Sequence, residues 1–398
     1  MTTSTLEAPT ADTAAGAADP SLRLEASPSQ RQARQDCRAF VEQHIAPFAG
    51  AWDRAGEMPI ELVPELRRHG YLGSILPADV GGGGVDAVTY GLLTEEIGRG
   101  CSSVRSLLTV HDMSTLALLR WGSAQVKEEL VPVMARGERL GALALSEPGA
   151  GSDPSAVTTT ARQDGEDFVL DGIKKWTTFG EIADELLVLA RLGDRLTTFV
   201  VSADAPGLRR EPLRHMVGTR ASRLATITFD GCRVPAHRQV GRPGFGLSHV
   251  VGTALDHGRF SVACGSVGIA QACLEASLDY AAERSQGGSR IAEHQLIQRR
   301  LTDMIAGTRA ARLLCCRAGY LRQEKDPAAI SETMIAKYFA SRTAVDVANS
   351  AIQLHGAVGL SQEKPLERYL RDAKVTEIIE GSTEIQQISI PRYPLQEL

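Results

Sequence analysis

The periodicity of apolar residues changes twice along this chain, and these changes limit the folds that it can adopt. From about residue 29 to 140, apolar residues recur at helical spacing, and from about 142 to 240 they form short β-type runs between turn residues. After Val240, helical spacing returns. Because helices repeat every 3.6 residues and strands every two, we predict helices, then strands, then helices. No repeat of solenoid period is present, which argues against a repeat array.

The same changes divide the chain into four segments. Residues 1–28 are rich in Ala, Thr, Ser, Pro and Asp without apolar periodicity, which predicts a disordered tail. We expect a helical domain at residues 29–141, a β domain at 142–241 and a second helical domain at 242–398. The clearest strand patterns are Phe168 to Gly172, Leu186 to Ala190, Thr198 to Val201 and Ala225 to Phe229. The first of these runs should end in a turn at Gly172.

Bulk composition is that of an ordinary globular protein. The 398 residues include 43% apolar and 23% charged residues, which suits a large core in more than one domain. The formal net charge of -5 argues against nucleic acid as the main partner. We find no apolar run of the length that crosses a bilayer and no secretory signal layout. We therefore expect a cytoplasmic protein with no membrane partner.

The seven cysteines follow no metal-binding or disulfide pattern. Their number is odd and no Cys-x-x-Cys pair occurs, so we expect neither a metal cluster nor a disulfide framework. Cys264 and Cys273 stand among small and apolar residues, which indicates structural thiols in a reducing cytoplasm.

A carboxylate near the C-terminus, Glu380, stands between apolar residues and a glycine. Ile378 and Ile379 precede it and Gly381 follows it. Apolar neighbours desolvate a carboxylate and raise its pKa towards neutrality, where it can act as a general base. These residues alone leave a second interpretation open, in which Glu380 is a solvated acid at a helix end.

Glycine motifs that bind nucleotide phosphates are missing from the sequence. No Gly-x-x-x-x-Gly-Lys segment occurs, and the glycines of residues 241–246 have the wrong spacing for Gly-x-Gly-x-x-Gly. We therefore do not expect a nicotinamide-binding Rossmann unit.

Two segments of the β domain could bind a flat ring instead. Residues 143–153 end a strand in a turn with free backbone N–H groups and two hydroxyls, which suit the polar edge of a heterocycle. Residues 174–180 place Trp176 beside hydroxyls, where an indole can stack on such a ring. A plain hairpin turn and a core tryptophan are the alternative interpretations.

A glycine-rich bend follows the first long C-terminal helix. It begins with Arg284, two residues before Gln286, and the planar guanidinium could contact a pyrophosphate there. The alternative is an arginine that complements the helix dipole.

In their order along the chain, these segments resemble the acyl-CoA dehydrogenase family over about residues 30 to 394. The motifs are Ser-Glu-Pro-Gly-Ala-Gly-Ser-Asp at 146–153, Lys-Trp-Thr-Thr at 175–178, Ile-Thr-Phe-Asp at 227–230, Arg-Val-Pro at 233–235, Leu-Asp-His-Gly-Arg at 255–259, Arg-Asp-Ala-Lys at 371–374 and Glu-Gly at 380–381. The resemblance implies an α+β fold with an N-terminal helical domain, a middle β-barrel domain and a C-terminal four-helix bundle. It also implies non-covalent FAD, an acyl thioester substrate and a homo-oligomer, usually a tetramer.

The resemblance also implies roles for individual residues. Glu380 would be the base that removes the α-proton of the substrate while hydride leaves the β-carbon for the flavin N5. FAD would be bound by Leu143, Leu145, Ser146, Trp176, Thr178, Arg284, Gln286, Gln353, Gly356, Ala357, Ser382, Thr383 and Glu384. The five residues from Arg284 to Ala357 in this set would reach the diphosphate of a neighbouring subunit's FAD. The substrate side would include Ser152, Arg259 and Gly381.

Some family branches carry the base one residue before the arginine of the Leu-Asp-x-x-Arg segment. Gly258 occupies that position here, so the resemblance assigns the role to Glu380. The sequence departs from the family pattern at two positions near the adenine part of the FAD site. Gly287 stands where the family usually has a phenylalanine, and Leu360 where it usually has an aromatic residue. We expect them to weaken cofactor affinity without touching the flavin ring.

Three stretches bear on the substrate, at residues 107–111, 118–122 and 253–265. They are similar to a branch that oxidises glyceryl-derived units on acyl carrier proteins, for hydroxymalonyl or methoxymalonyl extender units of polyketides. An ordinary acyl-CoA is the alternative substrate, and a flavin oxidase or monooxygenase, or a non-catalytic flavoprotein, are the rival functions. His111 and His257 would add polarity near a short substrate, or else be satisfied structural histidines.

Overall fold

A computed structural model of the protein describes residues 26–395. The expected tail at residues 1–28 lies outside this range except for its last three residues. Among these, the hydroxyl of Ser27 accepts a hydrogen bond from the backbone N–H of Gln30 at 3.2 Å and caps the first helix. The helix begins at Pro28, whose missing N–H suits the first helical position.

Seven helices form the N-terminal part of the described chain. They are α1 Pro28–His44, α2 Ala49–Ala55, α3 Leu62–Arg68, α4 Ala87–Gly100, α5 Ser102–Trp121, α6 Ala124–Glu129 and α7 Val131–Ala135. Helix α5 contains neither glycine nor proline and ends just before Gly122. It is buried along most of its length, so it lies between the N-terminal helices and the rest of the fold.

Eight strands form the sheet of the middle domain. They are β1 Gly141–Ala144, β2 Thr160–Asp164, β3 Asp167–Thr177, β4 Glu185–Leu192, β5 Arg195–Ser202, β6 Leu208–Pro212, β7 Ala225–Pro235 and β8 Gln239–Val240. Their order is β6-β7-β3-β2-β4-β5-β8, and β1 runs parallel to β4. Within the described residues this path has two ends, β6 and β8, so hydrogen bonds do not close it into a ring. The four predicted runs lie in β3, β4, β5 and β7.

The turn predicted at Gly172 is wrong, because strand β3 continues through this residue to Thr177. The pairing of β3 with β7 shifts register between Leu170 and Gly172, as in a β-bulge. A Cβ at position 172 would lie 2.6 Å from the hydroxyl oxygen of Thr159. The glycine therefore permits the close approach of Thr159, the residue before β2, and does not end β3.

The C-terminal part is helical again. Its elements are α8 Gly252–Glu283, the hairpin strands β9 Ser285–Gln286 and β10 Ser289–Arg290, α9 Gln295–Gln323, α10 Ala329–His355, α11 Ala357–Leu360, α12 Leu366–Ile378, α13 Thr383–Ser389 and α14 Arg392–Leu395. Helices α8, α9, α10 and α12 pack on a shared apolar core that includes Cys273, Met304 and Val347. The predicted order of helices, sheet and helices is confirmed.

One stretch of the described chain, Gly246–Glu283, is long and apolar enough to cross a membrane by length and composition. The sequence-based expectation of no such stretch is therefore wrong. In the fold, 78% of its apolar window is buried inside the protein. The stretch combines a π-helical turn, Gly246–Val251, with α8, and it occupies the position of a core helix.

Candidate active site

A cavity of about 340 Å³ lies where the three domains meet. Its wall is built by α5, by the end of β1 and the turn after it, by the end of β3, by α8 and by the link between α12 and α13. Ten predicted site residues line it: Leu143, Leu145, Ser146, Ser152, Trp176, Thr178, Arg259, Glu380, Gly381 and Ser382. Segments that are far apart in the sequence therefore meet in one place.

Glu380 occupies the short link between α12 and α13. Its backbone is left-handed, with φ of 57°, and Gly381 follows with φ of 87°. A left-handed glutamate is strained, and such strain persists only where neighbouring groups hold it. The Glu380 carbonyl accepts hydrogen bonds from Arg259 Nε at 3.1 Å and from Gln386 Nε2 at 3.3 Å.

The carboxylate of Glu380 is poised to accept a proton. Its Oε2 is buried and has no hydrogen-bond partner within the described chain. Burial raises the pKa of Glu380 to about 7, against the lowering effect of the positive charges of Arg259, Arg105 and Lys337. A carboxylate of this pKa is half ionised near neutral pH, which suits a general base. The alternative of a solvated acid does not fit this environment.

Gly258 lies directly against the Glu380 carboxylate. A Cβ at position 258 would lie 2.5 Å from Glu380 Oε2 and 2.8 Å from Met113 Sδ. A side chain at this position of α8 would therefore displace the carboxylate. A glutamate at 258 and the glutamate at 380 would compete for the same space.

The cavity wall also carries an exposed indole. Trp176 lies within a second register shift between β3 and β7, has φ of 60° and is 41% exposed. Lys175 Nζ lies 5.1 Å from the centre of its ring. The alternative of a core tryptophan is therefore wrong. The indole, the apolar side chain of Leu143 and the hydroxyl of Thr178 fit a flat ring with a polar edge, as in a flavin.

A buried ion pair fixes the turn that follows β1. Lys174 Nζ donates to Glu147 Oε1 at 2.7 Å and to the carbonyl of Leu145 at 3.0 Å. Glu147 also accepts from the N–H and hydroxyl of Thr158 at 2.6 and 2.7 Å, and from the N–H of Thr159 at 3.0 Å. Burial opposes ionisation, but these hydrogen bonds hold the pKa of Glu147 at about 2. The turn is thus more firmly held than a plain hairpin.

One end of the cavity is polar because of Arg105, which the sequence analysis did not single out. Arg105 is buried on α5 and donates to the hydroxyls of Thr109 at 3.1 Å and Ser106 at 3.2 Å. The hydroxyl of Thr109 also lies 2.6 Å from that of Ser261 on α8. No ion pair of the described chain includes Arg105, so its charge is met by hydroxyls.

The two predicted substrate histidines do not line the cavity, and that expectation is corrected. His111 is buried, accepts from the N–H of Gly141 at 3.2 Å and donates to the carbonyl of Met134 at 2.9 Å. His257 is buried beside the hydroxyl of Tyr90, at 2.9 Å. Burial lowers the pKa of His111 to about 4 and that of His257 to about 3. Both are neutral structural histidines.

The remaining predicted cofactor residues do not line this cavity. Thr383 and Glu384 begin α13, and the five others lie on the exposed surface at the ends of α8 and α10: Arg284, Gln286, Gln353, Gly356 and Ala357. Gly287 occupies the turn of the β9–β10 hairpin with φ of 62°. A phenylalanine would be strained in this left-handed conformation, which glycine adopts without strain.

A carboxylate with a raised pKa and an exposed indole line one cavity, where helical, β and helical domains meet. Family models of the acyl-CoA dehydrogenase N-terminal, middle and C-terminal domains match residues 27–138, 142–232 and 245–393. The chain belongs to the acyl-CoA dehydrogenase family, whose members bind FAD.

Three relatives illustrate the likeness. The mitochondrial short-chain specific acyl-CoA dehydrogenase of Mus musculus is 37% identical over 379 residues, which cover 94% of this chain and 92% of the relative. Butyryl-CoA dehydrogenase from Megasphaera elsdenii has a TM-score of 0.91 at 30% identity, covering 94% of this chain and 100% of its own. FkbI, for biosynthesis of a methoxymalonyl extender unit of a polyketide immunosuppressant, has a TM-score of 0.83 at 34% identity, covering 90% and 99%.

Proposed function

We propose that this protein oxidises a short, polar acyl thioester with FAD and that Glu380 removes a proton from the carbon next to the thioester carbonyl. The observation that carries the proposal is the buried, unpartnered Oε2 of Glu380, which lies in the same cavity as the exposed Trp176. When bound, FAD supplies the hydride acceptor. Trp176, Thr178, Leu143, Leu145 and Ser146 would hold its ring.

The charges around Glu380 suit proton removal. Three cationic groups, Arg259, Arg105 and Lys337, favour its ionised form, whereas burial favours the neutral form. As Glu380 takes the proton, its own negative charge is lost and the same cations favour negative charge that develops on the substrate. The apolar side chains of Ile379 and Leu255 line the cavity and limit the access of water.

The polar end of the cavity supports a short acyl group that carries oxygen. Gly258 lies against the Glu380 carboxylate, and Ser261, which contacts Thr109, is three residues further along α8. A helix rises 1.5 Å per residue, so the three residues from Gly258 to Ser261 span about 4.5 Å along α8. The polar end of the cavity, at Arg105 and Thr109, is therefore displaced from Glu380 by about this distance. A long alkyl chain would have to cover a buried guanidinium whose partners in the described chain are neutral hydroxyls, and it would give that charge no further hydrogen bond. A hydroxyl or carboxylate on a short chain would accept from it.

A carrier protein is our proposed thioester carrier, and its support is the likeness to the prolyl acyl carrier protein oxidase AnaB, with a TM-score of 0.88 at 27% identity. The test is anaerobic bleaching of the flavin absorbance by four matched substrates: butyryl and glyceryl groups, each on CoA and on an acyl carrier protein. We expect the fastest bleaching from the glyceryl carrier protein and little from butyryl-CoA. Rapid bleaching by butyryl-CoA would contradict the polar substrate and the carrier protein.

An ordinary short-chain acyl-CoA dehydrogenase is the second candidate function. It is favoured by 37% identity to the short-chain specific enzyme of Mus musculus. Both candidate functions use Glu380 as the base and differ only in the substrate, so the comparison of the four substrates separates them. Peroxide release under oxygen at the rate of substrate turnover would instead indicate an oxidase.

We also propose that the protein is a homo-oligomer. Arg284 and Gln286 are exposed in the single chain, at the start of the β9–β10 hairpin, and the family resemblance places them on a neighbouring subunit's FAD. The native mass with FAD bound is expected to be that of a dimer or tetramer. A monomer with full FAD content would contradict the shared site.

A further inference from the structure

Lys337 is a buried lysine beneath the link that carries Glu380. It lies on α10 with no exposed surface. Its Nζ donates to the carbonyl of Gly381 at 2.8 Å and to that of Glu377 at 3.4 Å. These two carbonyls lie on either side of Glu380. No ion pair of the described chain includes Lys337, so backbone oxygens receive its charge.

The Glu377 carbonyl belongs to the last turn of α12, which ends at Ile378. Carbonyls of a last turn have no partner within their own helix and form the negative end of its dipole. A lysine at this place satisfies such a carbonyl and compensates the dipole. The same ammonium group also donates to the carbonyl of Gly381, so it links the end of α12 to the residue that follows the strained Glu380.

We propose that Lys337 is a positioning residue for Glu380, which holds the left-handed link and supplies a fixed positive charge beside the base. The inference rests on the proposed function, because it takes Glu380 as the base. It assigns Lys337 two separable effects. The hydrogen bonds to the two carbonyls aim the carboxylate into the cavity, and the charge favours its ionised form.

The other charged groups that face the pair act from four elements, α5, α8, α12 and α13. Arg259 of α8 and Arg105 of α5 favour ionised Glu380 together with Lys337. Burial lowers the pKa of Lys337 to about 8, opposed by Glu380, Glu377 and Glu384, while Arg259 lowers it further. Near pH 7 Lys337 is therefore still charged. Removing its charge should raise the pKa of Glu380, and activity would then begin at higher pH.

The test is the pH dependence of kcat for flavin reduction in Lys337→Gln, Lys337→Met and Lys374→Met. The glutamine keeps a donor for the carbonyls but has no charge. Lys374 is the matched control, because it is exposed on α12 and pairs with Glu377 at 2.7 Å. We expect Lys337→Gln to shift the apparent pKa of kcat upward by about one unit, a loss of about tenfold at low pH, with a nearly unchanged high-pH plateau. Lys374→Met should match the wild type.

Lys337→Met should show the same shift and a plateau lowered by at least about tenfold, since it also lacks the donor. KM should change less than kcat in both variants. If the methionine variant does not fold, the glutamine variant decides the question. A Lys337→Gln profile equal to the wild type would overturn the inference. Glu380→Gln is measured beside it: if that variant stays active, the proposed function itself fails.

Discussion

Two buried glutamates, Glu147 and Glu380, lie near the same cavity and differ in almost every interaction. Glu147 accepts four hydrogen bonds, one of them from the buried Lys174 at 2.7 Å, and its pKa is held at about 2. Glu380 has an Oε2 without a partner, and burial raises its pKa to about 7. Burial is common to both, so the number of donors decides whether a carboxylate is a fixed ion or a base.

The position of the nearest lysine differs in the same way. Lys174 binds the carboxylate of Glu147 directly, whereas Lys337 binds the carbonyls on either side of Glu380. A cation in contact with a carboxylate blocks its lone pairs. A cation behind the backbone stabilises the charge and leaves the lone pairs free. The first arrangement builds structure and the second leaves a group able to take a proton.

The largest expected effect is on rate, from Glu380→Gln. The amide has nearly the same shape but cannot accept the substrate proton, and a positioned base is worth about 10² to 10⁴ in rate. We expect kcat to fall by that factor in stopped-flow flavin reduction, with FAD content and thermal midpoint retained. An unchanged kcat would mean that Glu380, like Glu147, is not the base, and it would contradict the contrast drawn between the two glutamates.

Glu147→Gln is expected to act on stability. It leaves the buried ammonium of Lys174 uncompensated, and breaking a buried pair in this way costs about 3 to 5 kcal/mol. Urea unfolding at pH 7 measures the loss. The double variant Glu147→Gln with Lys174→Met should recover most of it. A single variant as stable as the wild type would remove the contrast between the two glutamates.

The sequence predicted the order of the domains and ten of the 22 residues that line the cavity, because periodicity and ordered motifs are local signals. Trp176 and Glu380 were identified in this way. Arg105 and Lys337 were missed, although each is a charged residue within a helical stretch of small and apolar residues, which is a usable signal. His111 and His257 were misplaced, because a sequence does not show that Met134 and Tyr90 satisfy them.

Arg105→Met should change substrate preference by a smaller factor. The methionine has similar length but no charge, and a hydrogen bond to a charged group is worth about 1.5 to 3 kcal/mol. We expect kcat/KM for a hydroxylated short acyl thioester to fall about 10- to 100-fold, and that for butyryl to rise or stay equal. Parallel losses for both substrates would contradict a role of Arg105 at the acyl end.

The smallest change per pH unit concerns stability, and it has opposite signs for the two glutamates. The pKa of Glu147 is below its ordinary value of 4.5, so its stabilisation is present above pH 4.5 and is lost as pH falls towards 2. The pKa of Glu380 is raised, so stability is lost as pH rises from 4.5 to about 7, by up to about 1.4 kcal/mol per unit. Glu380→Gln should remove this loss in urea unfolding between pH 5 and 7.

Exchange of the substrate α-proton with solvent tests the central claim most directly, because it reports the base without hydride transfer. Deuterium incorporation from D₂O at the α-carbon of a bound acyl thioester is followed by mass spectrometry in the wild type and in Glu380→Gln. We expect incorporation in the wild type that rises with pH through about 7, and none above the uncatalysed rate in the variant. Equal incorporation by both proteins would contradict the assignment of Glu380 as the base.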